Sequence, residues 1–229
     1  MAEALPERVI SGSGGTPATM NVFYGKRHDA TPWHAVIIRG GGMGASARND
    51  GYYDYIFPAN GANTPVEIFE SDTPLIVEKR ELLTDSGGPG KQSGGLGRRV
   101  LFRVPDDEYA PIPPVNLGIQ SGRYRYPPEG LFGGKDGAKA RFLINDKDVN
   151  PYGLSQFGPG DRVTMDAAGG GGFGDPLERA PEQVEEDVID GYVSIDRARS
   201  DYGVVIDPKT LKMDPEATEK LRGSIKTAS

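Results

Sequence analysis

The chain has 229 residues, a formal net charge of −7, no cysteine, two histidines, 33 glycines and 19 prolines. This excludes disulfides, thiolate nucleophiles, sulfur-ligated zinc or iron, and a His-rich metal cage; the acidic balance argues against nucleic acid or an anionic membrane as a main partner. The N-terminus has no apolar signal core and no apolar run nears the ~20 residues of a membrane span, so a cytoplasmic protein with no membrane partner is expected.

Residues 1–19 are turn-rich and include Ser11-Gly12-Ser13-Gly14-Gly15. Strands are predicted over Met20–Tyr24 and Trp33–Ile38, where β-branched and aromatic residues concentrate. Asn49-Asp50-Gly51 supplies turn chemistry before a further strand candidate, Tyr52–Phe57. Val66–Glu70 alternates apolar and acidic residues, the pattern of a half-buried strand. Leu75–Leu83, Val100–Val104, Ala140–Ile144 and Arg162–Met165 read as additional strands. Ser86–Gly90 and Ser93–Gly97 read as Gly-rich turns, and Asp106–Pro114 as an acidic, proline-rich loop. From Pro181 the pattern turns helical: Pro181 suits a first helical position, Val184, Val188 and Ile189 form one stripe, and Gly191 follows as a stop. Ser194 caps a second short helix ended by Gly203, Val204–Ile206 reads as a last strand, and Asp214-Pro215 opens a terminal helix. The expected fold class is mainly β (α+β). It comprises an antiparallel β domain with long Gly/Pro-rich loops over 1–178 and a small helical C-terminal appendage over 179–229.

Four groups of residues invite chemistry. Gly169–Gly174 satisfies G-x-G-x-x-G, but Asp175-Pro176 follows where a dinucleotide fold needs a helix to start; the run reads as glycines at positive φ or against another backbone. Gly40–Gly44 follows a strand, and its N–H groups, at Gly42 and Gly44 above all, are candidates for an anion nest or a carbonyl-polarising hole, a bulge being the alternative. His28 and His34, six apart, read as surface or interface histidines rather than a metal pair, and no metal ligand is assigned. Asn60, Asn63, Thr64 and Glu67 cluster amide, hydroxyl and carboxylate groups that suit either a polar ring substrate or an Asx turn.

The ordered segments Leu5-Pro6-Glu7-Arg8, Gly12–Thr16, Asn63–Glu67, Asp85–Gly90, Gly94–Gly97, Gly130–Gly134, Gly169–Leu177, Val188–Val193 and Asp201–Val205 resemble the hydantoinase B/oxoprolinase family. The resemblance covers the C-terminal part of the family's B-type chain. Family members are much longer, and their N-terminal region carries the acidic and histidine residues associated with a divalent metal. The resemblance implies a hetero-oligomer. In it a hydantoinase A-like partner binds ATP and Mg and phosphorylates a carbonyl or enol oxygen, another chain supplies the N-terminal half of the B-type component, and this chain binds no cofactor itself. The implied reaction is ATP-dependent hydrolysis of a cyclic amide, with a ketone carboxylase component or a non-catalytic bridging module as alternatives. Within that reading Asn60, Asn63 and Thr64, with the Gly42 and Gly44 amides, are expected to contact substrate, and Glu67 to orient it or accept a proton.

Overall fold

Alternation of large apolar residues along short strands builds two antiparallel sheets that close on one another. A computed structural model describes residues 2–15, 19–56, 58, 61, 63–120 and 122–228. Its elements are β1 (Thr19–Lys26), β2 (Pro32–Arg39), α1 (Val66–Asp72), β3 (Ile76–Leu82), β4 (Arg98–Arg103), β5 (Ile112–Gln120), β6 (Arg141–Ile144), β7 (Lys147–Asp148), β8 (Gly153–Phe157) and β9 (Arg162–Asp166). Helices α2 (Pro181–Ile189), α3 (Ile195–Tyr202) and α4 (Pro215–Ala228) follow. One sheet runs β2-β1-β5-β8 and the other β3-β4-β9-β6-β7. Phe23, Trp33, Ile37, Val115 and Leu117 of the first meet Val100, Phe102, Phe142, Val163 and Met165 of the second in one core. Phe23 and Phe102 lie 5.3 Å apart between ring centroids, so the sheets form a sandwich.

Three expectations are corrected. Val66–Asp72 is a helix, not a strand: it buries Phe69 against Phe23 and Phe102, and Thr73 donates from both its N–H and Oγ1 to the Phe69 carbonyl to close it. Residues 52–56 are a turn with a single bridge, Gly41 to Tyr55, because Asp54 adopts φ +47°. The end of the 106–114 loop belongs to β5, whose prolines lie where the β1–β5 register shifts between Tyr24 and Lys26, a place that needs no ladder donor. At the C-terminus, Ile206 makes only an isolated bridge to Met213. Helix α3 is capped as its sequence implies: Ser194 Oγ accepts from the Arg197 N–H at 3.2 Å, and Gly203 takes φ +63°. Among the described residues no helix is long and apolar enough to cross a membrane.

Apart from the turn that the Gly134 N–H closes onto the Leu131 carbonyl at 2.9 Å and a turn at Gly14-Gly15, the glycine-rich segments are not turns. They are extended rods bundled around residues 168–173. The N–H groups of Gly169 and Gly172 donate to Ala138 and Lys135, those of Gly170 and Phe173 to Gly95 and Gln92, and that of Gly171 to Gly12, at 2.8–3.1 Å. The carbonyls of Ala168 and Gly171 accept from Gly42 and Ala45, at 2.9 and 3.0 Å. Each neighbour is thus met every third residue, the period of a polyproline II helix, which makes no hydrogen bonds within itself and leaves every group free for its neighbours. Rods this close exclude side chains: a Cβ on Gly169 would lie 1.7 Å from the Ser86 carbonyl oxygen, and one on Gly170 2.0 Å from that of Met43.

The C-terminal helices have a core of their own, including Val184, Val188, Ala198 and Tyr202. They are fixed to the bundle by Arg179, whose buried guanidinium donates through both Nη atoms to Asp50 (2.9 and 3.0 Å), through Nε to Asp187 (3.0 Å), and through Nη1 to the Lys91 carbonyl (3.3 Å).

Candidate functional site

Strands β2, β4 and β9 run straight into glycine rods, so their ends meet at a seam between sandwich and bundle. Side chains on the inward register at these ends are polar where those deeper in are apolar. Arg39 follows Trp33 and Ile37 on the inner face of β2, Arg98 precedes Val100 and Phe102 on β4, and Asn21 precedes Phe23 on β1. Asp54, presented by its left-handed turn, joins them: Arg98 Nη1 donates to Asp54 Oδ2 at 2.6 Å and Asn63 Nδ2 donates to the same oxygen at 3.0 Å. Beside them Arg99 holds Asp166 through two bonds of 2.7 and 2.8 Å.

Burial dominates the electrostatics of this seam. It pulls Arg98 down to about 10, with Asp54 as the main opposing influence, so Arg98 stays charged at neutral pH. It lowers Arg39 as well, against the influence of Tyr124, Asp166 and Asp54. Burial pushes Asp54 up while Arg98, Arg80 and Arg39 hold it down. Among the described residues several buried polar atoms have no hydrogen-bond partner: both polar atoms of Asn21, Nε and Nη1 of Arg39, Nε of Arg98, Oδ1 of Asp54 and Oδ1 of Asn63. Buried polar groups are almost always paired, so such a concentration in one place marks a site rather than filler.

Opening beside the seam is a cavity of about 30 Å³ lined by Ile37, Asn63, Thr64, Arg80, Arg98 and Phe102, among others. That volume holds a water or two, or the head of a small polar group. The fold therefore brings Asn63 and Thr64 together, with Arg80 Nη1 donating to the Thr64 carbonyl at 3.3 Å. Glu67 is exposed in the first turn of α1. Asn60 lies outside the described residues. Gly42 and Gly44 are buried in the bundle, and their N–H groups are taken up by the Ala168 carbonyl (2.9 Å) and Ser13 Oγ (3.0 Å) rather than turned toward the cavity.

Sequence reasoning missed Arg39, Arg98, Asp54 and Asn21. The signal for Arg39 and Asn21 was their parity with Trp33 and Phe23, but Val36, Ile38, Val22 and Tyr24 make the opposite parity equally apolar, and alternation alone does not say which face is inside. His28 packs edge-on to Tyr109, and His34 is exposed on the outer face opposite Tyr24. Among the described residues no three His, Cys, Asp or Glu side chains gather as a metal site. Gly169–Gly174 does not fit a phosphate cradle, because the N–H groups of 169–173 are bonded to neighbouring rods and the next α-helix starts only at Pro181.

Comparison with known proteins accords with this architecture. Residues 1–176 match the hydantoinase B/oxoprolinase family. The B component of a D-/L-hydantoinase from Pseudomonas sp. (strain NS671) is 31% identical over 97% of this chain and 37% of its own length. The crystal structure of the ATP-dependent caprolactamase from Pseudomonas jessenii superposes with a TM-score of 0.78 at 30% identity, over 97% of this chain and 40% of that one. A nucleotide-free acetone carboxylase shares the fold, with a TM-score of 0.79 at 23% identity over 99% of this chain and 35% of the other. The chain thus spans only 35–40% of the length of these three proteins. On the extent of that match and the agreement of the fold, the chain belongs to the hydantoinase B/oxoprolinase family.

Proposed function

We propose that this chain is one part of an ATP-dependent enzyme complex that opens a cyclic amide. In this reading it builds a wall of the reaction chamber while an ATP-binding partner activates the substrate. The observation that carries the reading is the hydrogen-bonded cluster of buried Arg98 and half-buried Asn63, which line a cavity, with half-buried Asp54 between them, in a chain whose family relatives include a hydantoinase component and a caprolactamase. A lactam resists water because resonance strengthens its C–N bond and blunts its carbonyl carbon. Phosphorylation of the carbonyl oxygen removes that resonance, and the complex must then hold the ring and admit one nucleophile while excluding stray water. In this reading Asn63 and Thr64 hydrogen-bond ring polar atoms, a role supported by the bonds that tie the Asn63 amide to Asp54 and Asp54 to Arg98. On the same reading Glu67, exposed on α1, orients the substrate or accepts a proton. The divalent metal that the family resemblance implies is, in this reading, held by another part of the complex.

The test is turnover of hydantoin, 5-oxoproline and caprolactam with ATP by the assembled complex. Asn63→Ala and Glu67→Gln should each reduce it at least tenfold, a loss of about 1.4 kcal/mol of transition-state stabilisation. Full activity in both would remove these residues from the site. Ketone consumption that requires bicarbonate, with no lactam opened, would assign the complex to carboxylation instead.

A further inference from the structure

The seam carries more positive charge than it neutralises. Arg39 is 1% exposed and Arg98 5% exposed, yet these two and Arg99 share two carboxylates in the seam, Asp54 bonded to Arg98 and Asp166 bonded to Arg99, both of which also act on Arg39. An unbalanced buried guanidinium is costly, and water satisfies its hydrogen bonds without neutralising its charge. Among the described residues four donors lack an acceptor here: Nε and Nη1 of Arg39, Nε of Arg98 and Nδ2 of Asn21, whose residue is 0% exposed. They come from the ends of three strands in two sheets, positions set by the sandwich core, so they are preorganised rather than carried on a loop. Tyr124 lies beside Arg39 and supports its charge.

We propose that the seam is a binding site for a small oxoanion, a carboxylate or a phosphoryl group, held by Arg39, Arg98 and Asn21. One negative charge balances the two guanidiniums against Asp54, and its oxygens supply the missing acceptors. The orphan acceptors Asn21 Oδ1, Asn63 Oδ1 and Asp54 Oδ1 are left for ordered water or a donor on the ligand. The small cavity beside Arg98 admits the anionic head of a ligand and not a nucleotide. This deepens the reading of the cluster as a chamber wall, but it is tested by binding alone, so its failure leaves the turnover test standing.

The experiment is thermal unfolding of the full chain at constant ionic strength, with chloride replaced stepwise by acetate or by inorganic phosphate, backed by calorimetric titration of the same two anions. At a hundredfold excess over Kd the midpoint should rise by about 5–10 °C. A rise with acetate alone assigns a carboxylate site, and a rise with phosphate alone a phosphoryl site. Arg39→Met should abolish the rise, and Asn21→Ala should weaken binding about tenfold while sparing the fold if the larger change does not. No rise with either anion in the parent chain overturns the proposal, as does a rise of equal size in a folded Arg39→Met or Asn21→Ala chain.

Discussion

Replacing Gly170 by alanine tests the rod bundle at its centre. The added Cβ would sit 2.0 Å from the Met43 carbonyl oxygen, 2.4 Å from its carbon and 2.9 Å from the Gly44 nitrogen, all backbone atoms that no rotamer change can move aside. Ordinary contact needs about 3.5 Å, so the 42–45 rod must retreat by roughly 1.5 Å. Its bonds from Gly42 to Ala168 and from Ala45 to Gly171, now 2.9 and 3.0 Å, would then exceed hydrogen-bond range. Losing two buried bonds costs about 2–6 kcal/mol, a large share of the ~5–15 kcal/mol that holds a typical domain together. For a chain of this size the midpoint should fall by about 4–24 °C. Gly223→Ala is the matched control: nothing lies within 4 Å of its Cβ position, and helix α4 should gain up to about 1 kcal/mol. Thermal melts of the two variants beside the parent make the comparison. A Gly170→Ala protein that melts within 2 °C of the parent, a margin of ~1 kcal/mol, would refute the close-packed bundle.

Other outcomes follow from charge pairs. Arg179→Met should destabilise by about 3 kcal/mol, the low end for a broken buried pair, because largely buried Asp187 loses its partner while Asp50 is part-exposed; urea unfolding checks it, and Arg179→Lys should restore only part, since an ammonium cannot span both Asp50 oxygens. Glu185 accepts from the Met213 N–H and from Lys212, which hold its carboxyl below the usual 4.5. Its folded pKa lies below its unfolded one, so its stabilisation is present above about pH 4.5 and lost as pH falls through the folded value. Glu185→Gln should therefore melt below the parent at pH 7, and the gap should shrink as the pH falls through the folded value; a gap that does not change on acidification would contradict the assignment.

Much of the architecture was readable from local pattern. Capping and stop residues placed α2 and α3, and β-branched runs placed β1–β4, because those signals are local. Val66–Asp72 misled because alternation over five residues fits a strand, while the deciding contact, Phe69 against Phe23 and Phe102, spans distant segments. The glycine runs misled for a different reason. Glycine signals either a bend or close backbone approach, and only the neighbouring rods show which applies at Gly169–Gly172. Of the site, Asn63 and Thr64 were legible as a polar cluster before an apolar segment. Asp54 was hidden in what read as a strand, and Arg98 fell in the unassigned gap between the glycine turn ending at Gly97 and the strand expected from Val100.

The central claim, that this chain completes a reaction chamber without being able to run the reaction alone, is tested most directly by an omission experiment. ATP-dependent ring opening is measured for the chain alone, for its co-purified partners without it, and for the two recombined. The account predicts product only on recombination. Sustained lactam opening by the isolated chain, or undiminished opening by the partners without it, would contradict it.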